Sequence, residues 1–352
     1  MFTNKYAVYK KYLHLSLKLS FIYLTHPINY SVIIQPQHKR RKGLKIMKHN
    51  KILCVALLLT ITAIISTVFA SCTGTNNSKG STSDTSKNGS NTVTENENIS
   101  EFIATMKFNN TSCDISDTSA ITVDGKYYTI KKAGTYEISG TLDDGQIIVN
   151  VAKTERVTLL LDNFTGSCSD SAVIYIKSAD KAYIDLKKDS NNTLTDSSLY
   201  TFADPAETKP NACIYSSDDL VIKGGGTLTV NAKYNNGIGC KNDIEIKNGH
   251  VYINAVNNAI KGNDSVTVCG DAEITVTAAD DAIKSDCIDK DNKGFILITD
   301  EAKITVTCTD DALQAPQSVK ITVGATLTVV SASSAVNCDG VTDVGEGCII
   351  LK

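Results

Sequence analysis

A short motif with metal-binding potential recurs in the C-terminal half of the chain: two Asn or Asp residues, then a small residue and an apolar one. Carboxylate and amide oxygens are the ligands that hard divalent cations take in proteins. Copies begin at Asn235, Asn257, Asp280 and Asp310, and a fifth copy, with two Ser residues in front, begins at Ser333. Their second residues are 22, 23, 30 and 23 positions apart. This spacing indicates that each copy marks one structural repeat.

The two acidic copies make the strongest chemical prediction. If successive repeats stack, four ionised carboxylates lie side by side and repel one another unless a cation lies between them. Calcium suits such a turn, because it accepts about six to eight oxygen ligands in flexible arrangements. The predicted ligands are Asp280, Asp281, Asp310, Asp311, Asp286, Asn257 and Asn258. For the Asn copies, the alternative is an asparagine ladder in which stacked amides hydrogen-bond one another.

The segments between the motifs alternate apolar and polar residues, as in Ile244-x-Ile246 and Val251-x-Ile253-x-Ala255. A period of two indicates β-strands, and the Gly, Asn and Asp residues between them mark turns. Nothing with a helical period is long enough to supply the crossover helices of an ordinary parallel sheet. An all-β, parallel β-helix is therefore predicted, with about 22 residues per coil. A sandwich of hairpins is the competing fold, but it would not keep the motif at near-constant spacing.

Stacked coils predict two inward rows of side chains. The first row is Ile238, Ile260, Ile283, Leu313 and Val336, and the second is Ala232, Ala255, Ala278, Cys308 and Ser331.

Three segments carry a resemblance to a known family: Ser171–Asp180, Ile214–Val230 and the Asp-Asp-Ala-Ile-Lys-Ser motif that begins at Asp280. With them, residues 99–352 resemble bacterial carbohydrate-binding β-helix domains, which include a cellulosome-associated protein that binds polygalacturonate. The resemblance implies a right-handed, single-stranded parallel β-helix shaped like a pectate lyase. It also implies bound calcium and polysaccharide binding as the role.

A row of outward side chains is predicted three positions after the second residue of each motif. A lysine there would pair with a uronate carboxylate, a tyrosine would stack on a sugar face, and calcium would bridge two acids. The predicted ligand-binding residues are Lys261, Lys284, Gln314, Tyr215 and Lys177. The preferred interpretation is non-catalytic binding of an acidic, pectin-like polysaccharide, with cellulose as a further candidate ligand; an ordinary solvated face is the alternative.

Two other functions stay open. One is a pectate lyase-like or polygalacturonase-like enzyme, because Asp280 and Asp281 resemble a hydrolase acid pair and Lys261 or Lys284 could act in elimination. Against it, Arg156 and His250 are the sole Arg and His after residue 72, and neither lies in a catalytic motif. The other is a structural surface spacer or adhesin that calcium stiffens.

The N-terminal region predicts export. An uncharged stretch, Ile52–Val68, follows Met47 and two lysines and precedes small residues that end at Cys72, which is the layout of a lipoprotein signal peptide over 47–72. Cys72 would be the lipidated first residue, so we expect an extracellular protein anchored by lipid to the outer face of a bacterial membrane. Residues 1–46 are expected to lie upstream of the true start, and 73–98 to form a flexible tether.

The charge of the chain indicates which binding partners suit it, and the spacing of its cysteines indicates their redox state. The first 72 residues hold 11 Lys and Arg and no acid, so the 35 basic and 38 acidic residues of the chain leave 24 against 38, a net charge of about −14. This excludes nucleic acid and anionic headgroups as partners and fits divalent cations. The cysteines after Cys72 are spaced about one per repeat without CxxC pairs, so we expect free thiols. A monomer is expected.

Overall fold

The computed structural model describes residues 102–352 except 205 and 207. The predicted upstream extension, signal peptide, lipidated Cys72 and tether lie outside these residues. Within them the chain forms β-strands and no α-helix, so no described helix is of a length and apolarity that would cross a membrane.

The strands are short and follow one another closely. They are β1 (Ala104–Asn110), β2 (Ser112–Ile115), β3 (Ile121–Asp124), β4 (Tyr127–Ile130), β5 (Gly134–Leu142), β6 (Gln146–Asn150), β7 (Arg156–Cys168), β8 (Ile174–Ser178), β9 (Lys181–Leu186), β10 (Asn191–Asp196), β11 (Ala212–Ser216), β12 (Asp219–Gly224), β13 (Thr227–Ala232), β14 (Asn236–Cys240), β15 (Asp243–Ile246), β16 (His250–Ala255), β17 (Ile260–Gly262), β18 (Ser265–Val268), β19 (Glu273–Ala278), β20 (Ile283–Ser285), β21 (Phe295–Ile298), β22 (Lys303–Thr307), β23 (Leu313–Ala315), β24 (Ser318–Ile321), β25 (Thr326–Ser331), β26 (Asn337–Cys338), β27 (Val341–Val344) and β28 (Ile349–Leu351).

Each coil contributes one strand to each of three parallel stacks, which confirms the predicted parallel β-helix. The first stack runs β9, β12, β15, β18, β21, β24, β27. The second runs β10, β13, β16, β19, β22, β25, β28. The third runs β6, β8, β11, β14, β17, β20, β23, β26. At the N-terminal end, β1–β2 and β3–β4 pair antiparallel.

The first predicted inward row is confirmed and continues further toward the N-terminus. Ile238, Ile260, Ile283 and Leu313 pair in register and are fully buried, and Ile147, Ile174 and Ile214 extend the row below them. Val336 is half-buried and packs against the same core. Because every coil buries its apolar residues on its neighbours, each short strand gains about 25 cal/mol for each Å² that leaves water.

The second predicted inward row is correct as far as Cys308 and wrong at Ser331. A bulge between Val306 and Thr307 pairs Thr307 with Ser331, so Val330 is an extra residue in β25. Ser331 is therefore exposed, while Ala332 packs against the core instead. A bulge shifts the side chains that follow it by one residue, and a row counted by constant spacing misses that shift.

The turns between stacks carry most of the polar residues. The Asn and Asp pairs form the turn from the second stack to the third, and the insertion 287–294 lies in the turn from the third stack to the first. A longer segment, residues 197–211, connects β10 to β11 at the same edge as the Asn and Asp pairs. All nine cysteines among the described residues are free thiols, as predicted.

Candidate functional site

Three of the five aspartates that were predicted as metal ligands come together at one edge of the solenoid. Asp280 and Asp281 occupy the turn before β20, and Asp310 occupies the same turn one coil later. One carboxylate oxygen from each lies within 4.8 Å of the other two. Asp281 is fully buried, whereas Asp310 is exposed. We call these three residues the acidic cluster.

The hydrogen bonds of the acidic cluster only partly compensate its charge. Asp281 accepts from the backbone N–H of Asp311 at 3.1 Å and from the ammonium of Lys284 at 2.8 Å. Asp311 accepts from the Asn337 amide at 2.6 Å and is not among the three clustered carboxylates. The charge of Asp311, followed by burial and the charges of Asp281 and Asp280, raises the pKa of the Asp310 carboxyl above its ordinary value. Repulsion within the turn therefore outweighs the single lysine.

The Asn copies of the motif form the asparagine ladder that was the alternative to metal ligation. Asn257 donates to the side-chain oxygen of Asn235 at 2.5 Å, and Asn258 donates to that of Asn236 at 3.1 Å. Asn236 in turn donates to the Asn211 carbonyl at 3.1 Å. Each amide thus gives its N–H to the coil before it.

One atom of this ladder lacks a partner. The Oδ1 atom of Asn258 is buried and accepts no hydrogen bond from any described residue. The side-chain N–H of Asn258 donates to Asn236 in the preceding coil. The backbone N–H of Ala259 donates to the backbone carbonyl of Asp281 in the next coil at 3.1 Å. Asn258 therefore stands in register with Asp281. A buried oxygen without a partner is costly, and a cation beside the acidic cluster would satisfy it. The donor set fits calcium in this respect.

Asp286 does not join the acidic cluster, so its predicted place in that site is wrong. It lies at the other end of β20, where it pairs with Lys261 at 2.6 Å. Strand β20 lies between the turn that holds Asp281 and the turn that holds Asp286. The short distance between these residues in the sequence gave no sign of this separation.

The outward row is confirmed for six positions on the third stack and wrong for one. Tyr215, Gly239, Lys261, Lys284, Gln314 and Asn337 pair in register from β11 to β26. Tyr175, and not Lys177, pairs with Tyr215. The reason is that Ile174 stacks under Ile214, whereas the alignment with Lys177 requires Ile176 at that place. We call Tyr175 and the six confirmed positions the outward row.

The two lysines of the outward row are held by acids. Burial lowers the pKa of the Lys284 ammonium, but its hydrogen bond to Asp281, together with the charges of the nearby aspartates, raises that pKa above its ordinary value. Lys261 bonds to Asp286. The row therefore presents ammonium groups in fixed positions, with carboxylates on both sides.

Tyr215 offers little of its ring to a ligand. It is 4% exposed and packs against Ala172, Ala212 and Tyr175. The ammonium of Lys209 lies 5.4 Å from the centre of the ring. An open sugar-stacking face, as predicted for Tyr215, is therefore absent at this residue.

Two hollows lie along the outward row. One, of about 250 Å³, is lined by Lys284, Gln314, Pro316 and Asn337. The other, of about 240 Å³, surrounds Gly239 and is lined by Lys209, Asn211, Tyr215 and Lys261. Lys209 and Asn211 were not predicted, because they belong to the segment 197–211 that interrupts the repeat. The unusual length of that segment was the one feature of the sequence that could have indicated extra residues at this face.

The Arg and the His that bear on the enzyme alternatives lie away from the outward row. Arg156 begins β7 and pairs with Asp180 at 2.8 Å. His250 begins β16 in the second stack and lies 3.2 Å from Glu273. Neither contacts the acidic cluster.

Comparison with known proteins agrees with this architecture. A carbohydrate-binding domain-containing protein of Acetivibrio thermocellus is 45% identical over 152 residues, which are 43% of this chain and 53% of that protein. The chain thus matches about half the length of that relative. A solved structure titled as a gadolinium derivative of the polysaccharide lyase-like protein from C. thermocellum has a TM-score of 0.69 and 41% identity, and the match covers 71% of this chain and 99% of that one.

The family model for carbohydrate-binding domain-containing proteins matches residues 124–347, which include the acidic cluster and the outward row from Tyr175 to Asn337. The chain therefore belongs to the family of carbohydrate-binding domain-containing proteins.

Proposed function

We propose that the chain binds an acidic polysaccharide along the outward row, with calcium at the acidic cluster, and that it does not cleave the polymer. The observation that carries this proposal is that Lys284 contacts the acidic cluster through Asp281, while Lys261 stands in register beside Lys284 on the neighbouring coil. Ammonium groups and a divalent cation recognise the same ligand group, a sugar carboxylate.

The calcium part of the proposal rests on the donor chemistry of the cluster. Asp280, Asp281, Asp310 and the unpaired Oδ1 of Asn258 supply oxygen ligands, which calcium prefers. When bound, calcium supplies positive charge that offsets the repulsion of the carboxylates and attracts an anionic ligand. The solved relative was studied as a gadolinium derivative, and gadolinium is also a hard cation.

The acidic nature of the polymer follows from the charges at the row. A neutral polymer gains nothing from the ammonium groups of Lys261 and Lys284, whereas a uronate pairs with them. Because the protein outside its N-terminal region carries a net charge of about −14, a polyanion needs a local positive site to approach. The lysines and a cation at the cluster supply such a site.

The non-catalytic part of the proposal rests on the state of the candidate bases. Pairing with Asp281 keeps Lys284 protonated at neutral pH, and a protonated lysine cannot remove a proton from a sugar ring. Lys209, whose pKa is lowered chiefly by burial, lies beside Gly239, two coils away from Lys284. At about 4.8 Å per coil, roughly 10 Å separates these positions, too far for base and cluster to act on one sugar.

Binding is best tested by electrophoresis through gels that contain polygalacturonate, a neutral galactan or no polymer, in calcium and in chelator. The proposal predicts retardation by polygalacturonate in calcium only, with no unsaturated or reducing-end product in a parallel assay. Product formation would identify a lyase or a hydrolase. Mobility unaffected by every polymer would leave the structural spacer, and calcium would then act on stability alone.

We further propose that the protein acts outside the cell, tethered by lipid at Cys72. Metabolic labelling with a fatty-acid analogue tests this anchor, with Cys72→Ser as the matched variant that should lose the label.

A further inference from the structure

The outward row has a gap at Gly239. Its neighbours in register are Tyr215 on one side and Lys261 on the other, so the missing side chain leaves a notch between a ring and an ammonium group. A Cβ atom at Gly239 would lie 3.0 Å from the Cβ of Ala212 and 3.2 Å from Cδ2 of Tyr215. Even the Cβ of an alanine would therefore be crowded against the side chains of Ala212 and Tyr215, and the absence of a side chain at Gly239 lets them pack against β14.

Lys209 extends over this notch from the segment 197–211. Its ammonium lies 5.4 Å from the centre of the Tyr215 ring. Among the described residues no carboxylate forms an ion pair with Lys209, whereas Lys261 on the far wall is paired with Asp286 at 2.6 Å. Within the described part of the chain, the hollow thus contains an ammonium group without a paired carboxylate, and Asp286, the partner of Lys261, also lines it.

The surroundings of Lys209 disfavour its charge. Burial of the ammonium group lowers the pKa of Lys209, the charge of Lys261 lowers it further, and Asp286 opposes both. An anion in the hollow would remove this disadvantage, because a charge-assisted bond in a partly desolvated place is strong. Asn211 and Asn263 also line the hollow. The side-chain N–H of Asn263 donates to Asp264 at 3.1 Å, so Asn263 would offer its oxygen to a sugar hydroxyl group.

We infer that the hollow around Gly239 is a subsite for one carboxylate-bearing sugar residue, whose carboxylate pairs with Lys209 without a metal ion. Its volume of about 240 Å³ lies below the roughly 300–1,000 Å³ of pockets that enclose drug-sized ligands, so it suits a single ring. The ring would lie between Lys209 and Lys261, outside the space that Ala212 and Tyr215 already fill beside Gly239.

This inference rests on the proposed function and deepens it. The subsite lies about two coils, or roughly 10 Å, from the acidic cluster along the outward row. A polymer that follows the row would place one residue in the subsite and later residues at the cluster. The subsite would thus fix the register of the polymer, while the cation at the cluster would supply the remaining affinity.

The test is calorimetric or NMR titration in chelator, with galacturonate as the acidic probe and galactose as its neutral counterpart. Four single variants are compared with the wild type: Lys209→Gln and Gly239→Ala at the subsite, with Lys188→Gln and Gly225→Ala as controls on other turns. Gly225 is a matched control, since a Cβ there meets its nearest atom at an ordinary 3.5 Å.

We expect galacturonate to bind more tightly than galactose by about tenfold, or about 1.4 kcal/mol. Both subsite variants should lose that preference, and both controls should keep it. Equal binding of the two sugars, or galacturonate binding that survives Lys209→Gln, would overturn the inference. Lys209→Gln alone decides the matter if Gly239→Ala disturbs folding, because Lys209 is not part of the hydrophobic core, so that its replacement leaves the core intact.

The failures of the two proposals are distinguishable. If galacturonate binds at the subsite but polygalacturonate does not retard the protein in calcium, the polymer-binding proposal fails and the subsite stands. If the polymer binds in calcium while galacturonate is not preferred to galactose in chelator, the subsite fails and the polymer-binding proposal stands.

Discussion

Asp310 shows most directly that the stacked acidic turns place carboxylates close enough to repel one another and so destabilise the folded protein. Its carboxyl pKa is raised by the charge of Asp311 and by those of Asp281 and Asp280, so its ionised form is repelled by its neighbours. We predict that Asp310→Asn raises the melting temperature in chelator, because it removes this repulsion. Calcium should raise the melting temperature of this variant by less than it raises that of the wild type.

Thermal melts of Asp310→Asn with and without calcium measure both effects. Asp143→Asn, an exposed carboxylate at another turn, is the control and should leave the calcium-induced shift unchanged. A calcium-induced shift in Asp310→Asn as large as that of the wild type would contradict a metal role for Asp310.

The lysines of the outward row make a separate prediction at the residue scale. Lys261→Ala combined with Lys284→Ala should weaken polygalacturonate binding by about tenfold or more, because two charge-assisted contacts are lost. Binding of a neutral glucan should not change. Lys303→Ala combined with Lys320→Ala removes two lysines that also form surface ion pairs, on the other two stacks, and serves as the control. Equal losses in the two double variants would indicate a general charge effect.

Asp196 makes a pH-dependent contribution to stability. The side chain is 2% exposed, and burial raises the pKa of the Asp196 carboxyl above its ordinary 3.8, even though the Tyr200 hydroxyl lies at 2.7 Å. The folded state therefore holds the proton more tightly than the unfolded state does. This contribution is fully present below the unfolded pKa and is lost as pH rises through the folded pKa.

Asp196→Asn cannot ionise, so we predict that it differs little from the wild type below pH 3.8 and becomes relatively more stable as pH rises above that value. Denaturant unfolding at a series of pH values measures the difference. A constant difference across the series would show that Asp196 has an ordinary pKa.

Several site residues could be predicted because they recur with the coil. Asp280, Asp281 and Asp310 belong to a motif whose spacing places them side by side, and the structure confirms that proximity. Lys209 could not be predicted, since it lies in a segment of irregular length. The unpaired Oδ1 of Asn258 also requires coordinates, because the orientation of an amide is invisible in a sequence.

Among the structural elements, the shortest strands hold the most regular part of the core. Strands β17, β20 and β23 have three residues each, and Ile260, Ile283 and Leu313 point inward from them in register. Their stability comes from the neighbouring coils, because three residues cannot form a stable strand alone.

Removal of one inward side chain should therefore be costly. We predict that Ile260→Ala lowers the free energy of unfolding by about 2–5 kcal/mol, since it leaves a cavity in a fully buried row. Val336→Ala, at the half-buried end of the same row, should cost less, and Val341→Ala, which is 66% exposed, should stay within about 0.5 kcal/mol of the wild type. Similar losses at all three positions, measured by denaturant unfolding, would argue against a stacked core.

The strand pattern predicts the stacks better than it predicts their irregularities. Alternation in β15, β16, β18 and β19 is regular, and their register follows from it. The bulge at Val330 and the register at Tyr175 do not follow from alternation. In β8, Ile174 and Ile176 are both fully buried, and either could lie level with Ile214. Both candidates satisfy the alternating pattern, so packing against the adjacent coil decides between them.

At the scale of the whole molecule, the net charge and the fold act together. Residues 73–352, with 24 basic and 38 acidic residues, carry a net charge of about −14 and repel a polyanion at low salt, whereas the outward row offers lysines on one face of the solenoid. The length of that face is set by the number of stacked coils. Under the proposed function, a long polymer would make repeated contacts along this face, each of modest strength.

The most direct test of this account is diffraction from crystals grown in calcium and then exchanged with a lanthanide for its anomalous signal. The account predicts a peak bounded by the carboxylates of Asp280, Asp281 and Asp310 and by Oδ1 of Asn258, at about the 2.3–2.6 Å typical of calcium and oxygen. No peak at that place, with the three carboxylates turned apart into solvent, would contradict it.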